Sequence, residues 1–152
     1  MAPAPARTPS RAEVDTALAA RLRLVTMRLS RRLRQQSEGD VTASMLSALS
    51  SISRLGPLTL GELASVEQVQ PPSMTKIVGK LEEQGLVVRE PDANDRRVTR
   101  VRVSDEGASY VARSRTLKNA YLAERLERLT VEERDRLTEV LPLIERLVED
   151  ER

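Results

Sequence analysis

TLGELASVEQVQPPSMTKIVGKLEEQGLVVREPDANDRRVTRVRVSDEG, from Thr59 to Gly107, is the stretch on which the fold turns. Thr59 stands three residues ahead of Glu62. In this capping-box spacing a hydroxyl and a carboxylate satisfy two N–H groups that a helix start leaves orphaned. The helix so opened is short, ending near Val66, because Pro71 and Pro72 follow closely and a residue before proline is pushed out of the α region. Either proline suits the first turn of a second helix, where a missing N–H costs nothing. In that second helix Met74, Ile77, Val78 and Leu81 fall at i, i+3, i+4 and i+7, one apolar stripe. Ser73, Thr75, Lys76 and Lys80 lie off the stripe, and no acid occurs between Ser73 and Leu81. Gly85 is placed to stop the helix as a C′ glycine.

Leu86-Val87-Val88-Arg89 reads as a short strand, and Pro91-Asp92-Ala93-Asn94-Asp95 is turn chemistry throughout. Val98 to Val103 alternates apolar and polar residues with period two, a strand buried on one face. Two short helices followed by a hairpin with a basic tip make a winged helix-turn-helix. The expected fold class is therefore mainly α with a small β-hairpin (α+β).

Leu63-Ala64, the Met74-Thr75-Lys76 helix and Leu81-Glu82-Glu83-Gln84-Gly85-Leu86-Val87 resemble the MarR family of bacterial transcription regulators. So, above all, do Asp95-Arg96-Arg97 and the following Val101-Arg102-Val103-Ser104-Asp105-Glu106-Gly107. The resemblance runs from about Ala12 to Asp150; its specific part is the Asp-x-Arg wing with the strand-to-glycine segment after it. The outer helices match only in length and placement.

Outward toward the N-terminus, Thr42 is placed to cap a helix carrying Met45, Leu46, Leu49 and Ile52, which ends near Leu55-Gly56-Pro57. Ser37 to Asp40 is a polar break. Before it, Ala12 to Gln36 reads as one helix about 37 Å long. Leu18, Leu22, Val25, Leu29 and Leu33 form its narrow apolar seam, suited to packing on another helix. Residues 1–11, rich in proline and alanine, read as a disordered tail.

Toward the C-terminus, Ser104 is a suitable N-cap, with Asp105 and Glu106 where the helix dipole favours anions. That helix should run through Tyr110, Leu117, Tyr121 and Leu122 to about Arg128. Thr130-Val131-Glu132-Glu133 is a second capping box and opens a last helix. Leu137, Val140, Leu141, Ile144, Leu147 and Val148 make its apolar face, and Pro142 is expected to kink it. Residues 12–40 and 104–152 are then a helical dimerisation region flanking the winged region at 41–103. The first and last helices carry more apolar face than one small winged unit can cover, which points to a two-fold homodimer. The resemblance implies the same.

Composition narrows the function classes. The chain has 152 residues with neither Cys nor His, which removes disulfides, thiolate or imidazole metal ligands and Ser-His or Cys-His pairs. No cofactor or metal site is expected, and an enzyme is not the reading the residues favour. With no Phe, no Trp and only Tyr110 and Tyr121, any core must be aliphatic. No apolar run is long enough to span a bilayer, and the start lacks a secretory apolar region, so a cytoplasmic protein without membrane contact is expected. The net charge is +2, yet Met1–Ser37 carries +6 and Glu124–Arg152 carries −4. Such a split suggests a surface with one side for an anion.

In a helix-turn-helix the start of the second helix meets base edges in the major groove. Here that presents Gln70, Ser73, Thr75 and Lys76, with Lys80 a turn further on facing phosphate. At the hairpin tip, an arginine can enter the minor groove of an A·T tract. By resemblance Asp95 pairs with Arg97 and orients it, while Arg96 or Arg97 makes the contact. The expected partner is double-stranded promoter DNA, bound at a pseudo-palindromic operator, with repression by occupancy. The resemblance also implies a small aromatic or anionic effector that releases DNA from a cleft beside the first helix; Arg21, Arg28 and Tyr110 are the candidates for it. The alternative is a winged-helix protein-interaction module without specific DNA binding.

Overall fold

Each helix that the sequence opens with a hydroxyl uses it. Thr42 Oγ1 accepts from the Met45 amide at 3.3 Å and Ser104 Oγ from the Gly107 amide at 2.9 Å. Thr59 and Thr130 sit in complete capping boxes, each with the glutamate three residues on returning a bond to the cap amide, at 2.7 Å and 2.9 Å.

The computed structural model describes residues 10–36 and 40–149. In chain order these form α1 (Arg11–Arg34), α2 (Ala43–Leu55), β1 (Leu58–Thr59), α3 (Leu60–Val66), α4 (Pro71–Glu83), β2 (Val87–Pro91), β3 (Thr99–Val103), α5 (Asp105–Leu126) and α6 (Val131–Arg146). Most of the expected tail and most of the polar break at Ser37–Asp40 lie outside the described residues, and Arg11 already belongs to α1. The described residues form two compact units, one holding α1 and the other α2 to α6.

In the second unit, β3 is the central strand of a three-stranded antiparallel sheet in the order β1-β3-β2. Val101 pairs with Arg89 on one side and Leu58 on the other. Strand β1 is an addition to the expected hairpin; two residues are too few to show a period. Strand β2 runs on through Pro91, tolerated because an edge strand can spare one N–H.

The core is aliphatic, as the composition requires. Met45, Leu49 and Ile52 of α2 meet Leu63 of α3, Met74, Val78 and Leu81 of α4, Val87 of β2 and Val101 of β3. Val111 brings in α5. Ile77 packs at the margin rather than inside. Gly107 is a point of close approach: a Cβ there would lie 2.0 Å from the Leu86 carbonyl oxygen, so the first turn of α5 can seat against the start of β2 only without a side chain. Ser104 closes the same joint by donating to the Gly85 carbonyl at 2.6 Å.

The outer helices differ. Helix α6 has no buried residue, and Leu137, Val140, Leu141 and Leu143 are all exposed. The α1 seam is likewise uncovered at Leu18, Val25 and Leu29. Pro142 lies within α6, whose helix continues through it to Arg146 while the Thr138 carbonyl loses its usual amide donor.

Candidate nucleic-acid interface

Helix α4 is set by its two ends and its buried stripe. At its start, Pro71 and Pro72 occupy the first two positions and Gln70 is the N-cap without using its side chain, so the exposed carboxamide remains available. The turn before it closes α3 through Gln68 at φ +53°, in the left-handed region. There the Val69 amide donates to the Ala64 carbonyl at 3.0 Å and the Gln68 amide to Ser65 at 3.2 Å, a Schellman closure made without glycine. Ser51 ties that turn to α2 by donating to the Glu67 carboxylate at 2.6 Å. At the far end Gly85, at φ +69°, supports a second Schellman closure, with Leu86 donating to Leu81 at 2.9 Å.

Between those ends Met74, Val78 and Leu81 are fully buried. Burial of such side chains stabilises by about 1.5–3 kcal/mol each, enough to fix the helix's rotation. Ser73, Thr75, Lys76 and Lys80 are consequently all exposed. Thr75 spends its proton on the Pro71 carbonyl at 3.0 Å, which leaves its hydroxyl as an acceptor. The acids of α4 come only at its end, where Glu82 pairs with Arg89 at 2.9 Å.

The wing turn joins β2 to β3 and is built on two aspartates. Asp92 Oδ1 accepts from the Asn94 amide at 2.8 Å and the Asp95 amide at 3.1 Å. Asp95 Oδ1 accepts from the Arg97 amide at 3.0 Å, with Arg97 Nε 3.7 Å from the same oxygen. The expected Asp95–Arg97 pairing is thus a backbone hydrogen bond supplemented by an ion pair too long to be a hydrogen bond. The Arg97 side chain is 95% exposed, and Arg96 is exposed beside it.

Sequence reasoning missed the group that anchors this turn. Asp92 Oδ2 receives Arg100 Nε, and Arg100 Nη1 reaches the Pro57 carbonyl and Glu62 Oε2, each at 3.2 Å. The Arg100 guanidinium first, then the two turn amides, hold the Asp92 carboxyl down at about 2. The Glu62 carboxyl is also lowered, chiefly by the Thr59 amide of its own capping box and then by the Thr59 hydroxyl, with Arg100 adding. Arg102 pairs with Glu90 at 3.1 Å. In the β2–β3 register Arg100 faces Glu90 and Arg102 faces Val88, so each arginine reaches a carboxylate two residues further along the neighbouring chain, Glu90 within β2 and Asp92 just past its end. Arginines at 100 and 102 against acids at 90 and 92 were the available signal.

The candidates for an effector cleft are carried by both units. Arg21 and Arg28 are exposed on α1. Tyr110, on α5, is half-buried against the core with the Arg113 guanidinium 6.0 Å from its ring centre. Among the described residues no cluster of acids could hold a metal ion, and no helix is long and apolar enough to cross a membrane.

Comparison with known proteins gives the setting. Residues 41–99 match the family model described as the MarR family. An HTH-type transcriptional regulator of Mycobacterium tuberculosis is 42% identical over 137 residues, covering 90% of this chain and 96% of that protein. The HTH-type transcriptional repressor MdtR of Bacillus subtilis is 31% identical over 101 residues, covering 66% of this chain and 65% of its own length. The crystal structure of a protein from Pseudomonas aeruginosa PA01, assigned as a transcriptional regulator, superposes with a TM-score of 0.83 at 34% identity, covering 94% of this chain and 100% of that one.

Proposed function

The chain belongs to the MarR family of transcriptional regulators, and on that premise we propose that it is a repressor that binds a pseudo-palindromic operator as a homodimer. The observation that carries the proposal is the pairing, within one compact unit, of an exposed acid-free face on α4 with an exposed arginine-tipped turn. On this reading Lys76 donates to guanine O6 or N7, Gln70 meets adenine, and the Ser73 and Thr75 hydroxyls serve base or phosphate. Lys80 takes a phosphate, which adds salt-sensitive affinity without sequence information. Asp95 steadies the turn from which Arg96 or Arg97 enters the minor groove.

The uncovered apolar stripes of α1 and α6 support the homodimer, since exposed seams of that size mark partner surfaces. Residues 12–40 and 104–152 would be the dimerisation region and 41–103 the DNA-binding region. Pairing would set two α4 helices about 34 Å apart, one turn of duplex. A small aromatic or anionic effector would release DNA by binding the incompetent spacing more tightly, by about 1–3 kcal/mol. Arg21, Arg28 and Tyr110 are the residues proposed to meet it.

Selection of binding sites from random duplex DNA by the purified chain, repeated with phenolic and lipophilic compounds, tests the proposal. A two-fold consensus supports it, and a compound that abolishes enrichment supports the effector. No enrichment at all would leave a protein-interaction module as the better reading.

A further inference from the structure

Two arginines leave the same face of β3, and they are not equivalent. Arg102 pairs with Glu90 within the hairpin. Arg100 joins three separate chain segments: the wing turn through Asp92, the chain before β1 through the Pro57 carbonyl, and the first turn of α3 through Glu62. Its Nε faces the wing and its Nη1 faces the helix-turn-helix, so one rigid planar fork spans both. The contact is partly shielded, with side-chain exposures of 32% for Arg100 and 13% for Asp92.

We infer that Arg100 is a positioning residue that pins the wing turn to the start of the helix-turn-helix, fixing how Arg96 and Arg97 are presented before DNA arrives. The inference rests on the DNA-binding reading above. A hairpin tip held only by its strand ladder would sample many orientations, and ordering it on binding would weaken affinity. Arg100 removes that freedom in advance. Its Nε and Nη1 are both engaged by protein and its charge faces two carboxylates, so it acts through the wing rather than as a phosphate contact.

The test uses the full chain and its selected operator. Arg100→Met keeps most of the apolar stem and deletes the fork. Asp92→Asn keeps an oxygen for the Asn94 and Asp95 amides, and Glu62→Gln keeps one for the Thr59 amide, so both preserve local turns and lose only the pairing charge. Each variant should unfold within a few degrees of the parent and bind about tenfold more weakly. The dependence of log affinity on log salt should keep its slope. In the free protein, amide exchange at Asn94 to Arg97 should accelerate. Arg100→Met combined with Asp92→Asn should bind no more weakly than Arg100→Met alone, because both remove one linkage. Parental affinity in the variants would overturn the inference. So would a slope lowered by about one unit per protomer, which would make Arg100 a phosphate contact. If Arg100→Met fails to fold, Asp92→Asn and Glu62→Gln carry the test alone. Absence of any specific operator for the parent would instead overturn the DNA-binding reading, while unchanged exchange would still count against the clamp.

Discussion

Helix α4 and the wing present cations by opposite means. The helix is fixed by apolar burial: Met74, Val78 and Leu81 are fully buried, and the polar face is what burial leaves outside. The wing's strands reach the core through Val87 and Val101, but its turn, residues 92–98, has no buried apolar residue. Asp92, Asp95 and Arg100 hold it through amides and ion pairs, most of them partly wet. Apolar anchoring makes position inseparable from folding, whereas polar anchoring lets position vary while the fold stands.

Substitutions under α4 should therefore act on stability first. Met74→Ala is expected to cost about 2–5 kcal/mol, read from the denaturant midpoint, with binding lost as a consequence. A cost below about 1 kcal/mol would show that α4 is not seated by this stripe. Gly107→Ala tests the joint between hairpin and α5. Its new methyl would meet the Leu86 carbonyl oxygen at 2.0 Å, so a loss of at least about 1–3 kcal/mol is expected. Parental stability there would mean the joint opens freely.

Exposed positions should separate binding from folding. Lys76→Ala should leave the denaturant midpoint unchanged, weaken operator binding by about 1–3 kcal/mol and relax preference at one position of each half-site. Arg97→Ala should weaken binding more evenly across sequences and lower the salt slope by about one unit per protomer. Were Arg97→Ala to alter sequence preference at a guanine and Lys76→Ala to alter only the slope, the assigned roles would be reversed.

The smallest effect is a pH response confined to the wing. The Asp92 carboxyl is held at about 2 against an ordinary 3.8, so its folded value is depressed. The stabilisation it gives the wing is complete above about pH 4 and is lost as pH falls through about 2. Protection of the Asn94 and Asp95 amides, taken relative to their intrinsic exchange rate at each pH, should fall as pH drops through that window in the parent and stay unchanged in Asp92→Asn.

What could be read from the sequence follows the same division. The α4 stripe and the four hydroxyl caps are local patterns, and each is present at its expected position. Gln68 gave no sign that it takes the left-handed turn, because that conformation usually announces itself by glycine. Strand β1 is too short to show alternation and exists because Leu58 and Thr59 meet Val101 and Arg100 across some forty residues of chain. The Glu62 arm of the Arg100 linkage was hidden for the same reason: Glu62 lies 38 positions away and looked fully employed in its capping box. The wing's position is thus the part of the candidate site least legible from sequence, being set by contacts between distant segments.

Dimethyl sulfate protection on the selected operator reads both grooves in one experiment, since it reports guanine N7 in the major groove and adenine N3 in the minor groove together. A homodimer docked through α4 and the wing gives protected N7 positions flanked by protected N3 positions, the whole pattern repeated about one helical turn away, about 34 Å, with Arg97→Ala erasing only the minor-groove part. A single unrepeated patch, or minor-groove protection that survives Arg97→Ala intact, would contradict it.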